Sequence, residues 1–314
     1  MYVCRRELPP QIASPPPKAD GLATTTRAND DPGHASALRR RQSDRWKEDT
    51  GDFEMTEMTM IVKDIDDIPI KTPPNTPGIF VKALLDESNS KSMRAGLMSW
   101  APGTKSQTQP HYHSVEEFQL VLHGHATLED CNGMKHPLKP GTMFLCPPGE
   151  GGAHGIENAS DFPMTLLFIY PRQDYETVKF DTSGKKQRST MLIRDIAEVA
   201  LQPQTSPGVR TKRVCEKGTA ENLLVGIMWW DAGSKLTGVQ PHYHSVEEFQ
   251  LVLYGNATLS DCNRKTHALR EGVMFHCPPG IGGVHGIENT SDFPMSLLFA
   301  YPTQELESTP YLSK

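Results

Sequence analysis

The chain has 314 residues, of which 37% are hydrophobic and 22% charged, an ordinary globular composition long enough for about two domains. A formal net charge of -6 gives no general basic footprint for nucleic acid, and no run of about 18 apolar residues offers a membrane span. The N-terminus lacks the apolar core of a secretory signal, so a cytoplasmic protein is expected, and its 6 cysteines read as buried reduced thiols rather than as a disulfide scaffold.

Residues 1–55 read as a disordered tail, with Pro15–Pro17, Thr24–Thr26 and Ala37–Asp44 low in hydrophobicity and without period. Arg39–Arg41 followed by Ser43 resembles a basophilic kinase site, but a solvated charge run is the reading adopted. From there the chain is a repeat. Gln109–Gln173 aligned with Gln240–Gln304 is identical at 48 of 65 positions without a gap. The likeness reaches back through Ala95–Lys105 and Val225–Lys235 to Val62–Ile70 and Ile193–Leu201. The division expected is 61–173 for the first unit, 174–190 for a hydrophilic linker and 192–306 for the second unit.

Each unit reads as β. Short helical leaders are expected only at Asp64–Ile68 and Asp195–Val199. "EEFQLVL" is an apolar strand, and a tight glycine turn leads into "GHATLED" or "GNATLSD". "GTMFLCPPG" and "GVMFHCPPG" are strand-like runs stopped by Pro-Pro-Gly, and "MTLLFIYP" and "MSLLFAYP" are buried runs closed by proline. Several short strands separated by turn signals make a sandwich or barrel.

The chemistry concentrates in HYHSVEEF. His111 and His113 stand two apart, so on a strand both imidazoles share a face. A turn at Ser114–Glu116 lets Glu117 join them, and His154 in "AHGIEN" completes the set. The second copy repeats it as His242, His244, Glu248 and His285. Three neutral imidazoles and a carboxylate suit a divalent first-row metal, and four ligands on a six-coordinate ion leave room for substrate. Iron(II) or manganese(II) is favoured, one ion per barrel, with nickel, copper and zinc as alternatives. Gln119 and Gln250 share parity with the glutamates and enter the barrel, either to hold a water or substrate or to bond a neighbour. Glu116 and Glu247 point the other way and read as solvated or paired, and Asn158 and Asn289 serve turn geometry. Three differences between the copies, His123/Tyr254, His125/Asn256 and Leu145/His276, either tune the two pockets differently or are surface drift, and drift is the reading adopted.

These spacings resemble the cupin superfamily. Its first motif runs H-x-H, E, G, and His111, His113, Glu117 and Gly124 fit it, as do His242, His244, Glu248 and Gly255. Its second motif is met by Gly141, Pro147, Gly149, His154 and Asn158, and by Gly272, Pro278, Gly280, His285 and Asn289. There are two departures. Lys105 and Leu236 stand where the family has glycine, and Gly151–Gly152 and Gly282–Gly283 are inserted before the second-motif histidine. The resemblance implies an all-β fold of two tandem double-stranded β-helix (jelly-roll) barrels, a bicupin with a metal in each barrel.

The family spans oxygenases, decarboxylases, isomerases, lyases, cyclases and binding modules, so fold alone does not choose a reaction. No arginine is matched between the copies on the early strands, Arg94 having no counterpart, whereas Met98/Met228, Trp100/Trp230 and Phe144/Phe275 are shared. An apolar pocket for an aromatic or diketone-like substrate follows, or else simple core packing. The expectation is a metal-dependent oxygenase on such a small molecule, with Glu117 or Glu248 as base and the glutamines assisting. A non-redox lyase, isomerase or cyclase and a non-catalytic binding bicupin are the alternatives. The two halves could pack as an internal pseudo-dimer, and a homo-oligomer is left open.

Overall fold

In a computed structural model, residues 59–74, 76–105, 110–181, 188–203, 206–234 and 241–311 are described. The tail 1–55, with Arg39–Arg41 and Ser43, lies outside them, as does Leu236. Among the described residues no helix is long and apolar enough to cross a membrane. The two expected helical leaders are single 3-10 turns, Ile65–Asp67 and Ile196–Glu198, each capped by the side chain of the preceding aspartate. Two further 3-10 turns, Glu150–Gly152 and Ile281–Gly283, precede His154 and His285, and the other described residues are in strands, turns and loops.

Each half is a pair of sheets. In the first half a six-stranded sheet runs in the order Leu192–Asp195, Thr142–Cys146, Glu117–His123, Met164–Tyr170, Arg94–Trp100, Ile79–Leu85. A second sheet holds Thr177–Lys179, His111–His113, His154–Asn158, Ala126–Asp130 and Lys135–Leu138, with Thr104–Lys105 alongside. The second half repeats this with Glu248–Tyr254 at the middle of its large sheet and His242–His244 in its small one. Among the described residues every pairing between named strands is antiparallel, so the sheets are built by turns rather than crossover helices.

Two features of this arrangement go beyond the repeat. The leader strands are exchanged. Ile61–Asp64 pairs with Val273–Cys277 of the second half, and Leu192–Asp195 pairs with Thr142–Cys146 of the first. Lys82 Nζ donates to the Ile65 carbonyl at 2.7 Å and Lys212 Nζ to that of Ile196 at 2.8 Å, so each turn is held by a lysine of its own copy. Part of the segment read as a linker is also strand, because Thr177–Lys179 pairs with His111–His113 and closes the small sheet.

The large sheets are apolar on both faces. Trp100, Val121, Phe144, Leu166 and Phe168 fill the first barrel, and Trp230, Val252, Phe275, Leu297 and Phe299 fill the second. The outward residues Phe118, Leu120 and Leu122 join Phe249, Leu251 and Leu253 in one cluster shared by both halves. At about 1.5–3 kcal/mol for each fully buried side chain of this size, that shared core joins the halves into the expected pseudo-dimer. Leu145 and His276, read as drift at the surface, lie inside the protein, at 3% and 0% exposure. They sit on strands that pack between the halves, so the exchange of leucine for histidine is an internal one.

Candidate metal centre

The strand His111–His113 projects both imidazoles to one side, their ring centroids 5.0 Å apart. His154 is paired with His111 across the small sheet, and its ring lies 4.7 Å from that of His111 and 5.8 Å from that of His113. Glu117 opens the next strand and turns its Oε2 to 3.3 Å from His113 Nε2 and 3.2 Å from His154 Nε2. The second half reproduces the arrangement. Its histidine rings are 4.9, 4.5 and 5.7 Å apart, and Glu248 Oε2 is 3.4 and 3.2 Å from Nε2 of His244 and His285. The structure thus brings together all eight residues singled out as ligands, four in each barrel.

The groups around them fix their orientation. Tyr170 donates its hydroxyl to Glu117 Oε1 at 2.6 Å, and Tyr301 does the same to Glu248 at 2.7 Å. The inserted glycines have a definite task. His154 Nδ1 donates to the Gly152 carbonyl at 3.0 Å, and His285 Nδ1 to that of Gly283 at 2.9 Å, which leaves each Nε2 lone pair facing the pocket. A Cβ at Gly152 or Gly283 would overlap the carbonyl of Pro147 or Pro278, so no other residue fits that turn. His113 Nδ1 reaches Thr177 Oγ1 at 3.0 Å, a partner from the segment read as linker. Gly124 and Gly255, the last letters of the first motif, take φ of 76° and 80°, the left-handed turn that glycine supplies without strain.

Burial and mutual charge pull the ligands in different directions: burial lowers His244 and His285, whereas at His154 burial is outweighed by Cys146 and Glu117, which raise that imidazole well above its ordinary value. Burial and the neighbouring His154 lower the His111 pKa to about 3, so its ring nitrogens are free to act as ligands at neutral pH. Burial, with the adjacent glutamate, raises the phenols of Tyr170 and Tyr301, which keeps them protonated as donors. Burial opposes the Glu117 charge, but His113 and His154 outweigh it and hold that carboxyl down, whereas burial prevails at Glu248 and raises it.

A metal fits these residues. Glu117 Oε2 and Glu248 Oε2 are buried with no hydrogen-bond partner, each aimed at two imidazole nitrogens. A buried unpaired carboxylate oxygen is costly unless a cation or donor meets it. His111, His113 and His154 form one set of donors close enough to hold an ion, and His242, His244 and His285 form another.

The glutamines lie within the barrels, at 3% exposure each. Gln119 Nε2 lies 3.3 Å from His154 Nε2, so this glutamine reaches a neighbour in the site. Asn158 and Asn289 are turn residues as expected. The Asn158 amide donates to the carbonyls of Trp100, Ala101 and Phe162, and its Oδ1 accepts from Ser160. Asn289 repeats the contacts to Phe293 and Ser291.

Several residues escaped the sequence reading. Glu116 and Glu247 face away from the pockets as expected, and of the two readings, solvated or paired, the second holds, at 1% and 4% exposure, with partners the sequence did not identify. Glu116 accepts from the backbone N–H groups of Glu221, Asn222 and Leu223 in the other half, at 2.7, 2.5 and 2.6 Å. Glu247 accepts from Ser90 Oγ, Lys91 N and Ser92 Oγ at 2.7, 2.9 and 2.6 Å. Cys146 and Cys277 lie directly opposite Glu117 and Glu248 in the sheet, so two of the thiols belong to the site. Cys262 is only half-buried, and the five described cysteines are all unpaired by disulfide. Tyr175 stacks on Tyr170 at 4.2 Å, and the Arg94 guanidinium lies 5.7 Å above the Tyr175 ring. Leu224 holds the Arg94 position in the second half, opposite Tyr301 as Arg94 is opposite Tyr170. There a charge comes instead from Arg213, paired with Gly226 on the neighbouring strand and acting on the Tyr301 phenol.

The Cupin domain family matches twice, at residues 96–170 and 234–301. Comparison with curated proteins finds no match. Among solved structures, oxalate decarboxylase of Lactobacillus farciminis in a formate complex superposes with a TM-score of 0.59 at 13% identity, covering 80% of this chain and 88% of that one. A putative glyoxylate-induced protein of Pseudomonas aeruginosa gives 0.59 at 14%, covering 82% and 91%. Salicylate 1,2-dioxygenase of Pseudoaminobacter salicylatoxidans, with gentisate, gives 0.62 at 13%, covering 91% and 97%. At such identities these structures share the fold. With both barrels matched by the domain family and both carrying its His and Glu residues, the chain is a bicupin of the cupin superfamily.

Proposed function

We propose that the protein is a metal-dependent dioxygenase acting on a small aromatic or enolisable acid. The observation that carries this reading is the buried Glu117 Oε2, unpartnered and facing His113 and His154, beside an aromatic wall. His111, His113, Glu117 and His154 would hold the ion in the first barrel, and His242, His244, Glu248 and His285 in the second. When bound, the ion supplies Lewis acidity and redox chemistry toward dioxygen. A reaction that places both oxygen atoms in the product needs no external reductant.

The chain's own residues divide the remaining tasks. Glu117 accepts the proton of an incoming hydroxyl or enol, with Tyr170 holding its other oxygen in place. Phe144 and Phe168, paired with Gln119 in the sheet, form an apolar layer beneath the histidines that suits a ring and excludes water. Arg94, above Tyr175, supplies a cation for a carboxylate. That combination accords with a structural neighbour whose name is salicylate 1,2-dioxygenase and whose complex holds gentisate.

The test is oxygen consumption by iron(II)- and manganese(II)-loaded protein against hydroxybenzoates and β-diketones, followed by 18O2 labelling. Incorporation of both label atoms supports the proposal. Turnover of the same compounds without oxygen refutes it in favour of a non-redox lyase, the reading that an oxalate decarboxylase neighbour would favour. Binding without turnover under either gas leaves a binding bicupin.

A further inference from the structure

Each pocket contains a donor that the three-histidine, one-glutamate description omits. Cys146 stands in register with Glu117, and Cys277 with Glu248. Glu117, Cys146 and His154 each offer a ligand atom within 4.8 Å of the other two, and Glu248, Cys277 and His285 do the same. The sets overlap at one corner, because His154 and His285 also belong to the three-histidine groups.

A buried cysteine is most often an ordinary core residue. The neighbours here are different. Cys146 also lies 3.5 Å from Met191 Sδ, but its other side meets an imidazole and a carboxylate whose Oε2 has no hydrogen-bond partner. Both thiols are 2% exposed, and both copies keep the geometry although nearby positions such as Leu145 and His276 have diverged.

We propose that Cys146 and Cys277 supply a sulfur donor to the metal pockets of their barrels, so that each pocket takes a thiophilic cation through a carboxylate, thiolate and imidazole. This deepens the reading of the pockets as metal sites and rests on it. Oxygen- and nitrogen-preferring ions such as manganese(II) are served by the histidines and the glutamate. Zinc or cobalt(II) is drawn toward the sulfur. On binding, the S–H bond gives its proton to solvent and the thiolate lone pair goes to the cation, with no change of oxidation state.

The test uses the full-length chain stripped of metal. Cobalt(II) is added while bound metal is counted by equilibrium dialysis and the near-ultraviolet sulfur-to-cobalt charge-transfer band is recorded. The expected result is a band that falls to roughly half in either C146S or C277S and vanishes in the double variant. A wild-type protein that binds cobalt in each barrel but shows no band overturns the proposal while leaving the metal reading intact, and so does a band that survives in the double variant. Failure of the wild type to bind cobalt, zinc or manganese overturns both. Should the serine variants fold poorly, X-ray absorption of the zinc-loaded wild type decides without any substitution. A sulfur neighbour at about 2.3 Å supports the proposal, and a shell of only nitrogen and oxygen refutes it.

Discussion

Tyr170 and Tyr301 show how one hydroxyl can govern a site. Each donates to the glutamate and lies within 3.2 and 3.1 Å of Nε2 of His113 and His244. Groups that orient ligands typically matter 10–100-fold in metal affinity, so Tyr170→Phe and Tyr301→Phe should each weaken manganese(II) binding in their own barrel by at least about tenfold. Titration calorimetry would show one weakened class of site and one unchanged class, whereas unaltered affinity in both would remove the tyrosines from the account. Gly152 makes a second test. Adding a methyl group against the Pro147 carbonyl should cost about 2–3 kcal/mol in Gly152→Ala, read by urea unfolding, because the backbone of that turn must shift. The ligands were legible at this scale because strand parity fixes which way His111, His113 and Glu117 point. The tyrosines were not, since 53 residues separate Tyr170 from Glu117 and no local pattern links them.

The strand Glu117–His123 carried more information than alternation alone reveals. Phe118, Leu120 and Leu122 share the face opposite to Gln119 and Val121, yet all are buried. A strand apolar on both faces must be covered on both. Glu116, on the same face as Phe118, therefore enters an interface rather than water. Its partner loop lies about a hundred residues on, which is why sequence alone could not choose between a solvated and a paired glutamate. Removing it leaves three backbone N–H groups without an acceptor, and Glu116→Ala should lower stability by about 3 kcal/mol in denaturant unfolding. Glu247 adds a pH signature. Burial opposes its charge, but His276 and the groups of Ser90–Ser92 more than compensate and hold the carboxyl below its ordinary 4.5. A depressed folded value means stability that is complete above pH 4.5 and lost as pH falls below it. Glu247→Gln should flatten the acid limb of the stability curve, and an unchanged limb would remove the carboxylate from it.

The molecule as a whole is two copies that have become one body. Exchanged leaders, reciprocal glutamates and a shared apolar core mean that neither half has its full set of strands alone. Residues 192–314 expressed without the first half should lack the Ile61–Asp64 edge strand and expose Phe249, Leu251 and Leu253, so aggregation or loss of β circular dichroism is expected. A soluble, folded fragment would contradict that picture. The duplication and the jelly-roll class were readable in the 48 shared positions, because identical motifs impose identical barrels. The exchange was not readable, since Val62–Ile70 and Ile193–Leu201 look like leaders of their own copies and only the packed sheets show where each is seated.

The central claim is that both pockets hold a metal through the paired histidine and glutamate sets. Metal analysis of protein purified without chelators tests it most directly, with Glu117→Ala and Glu248→Ala measured beside the wild type. One transition-metal ion per barrel in the wild type, and loss of only one of them in either variant, is the predicted result. Wild-type protein that carries no ion and takes up none of the first-row divalent metals would contradict it.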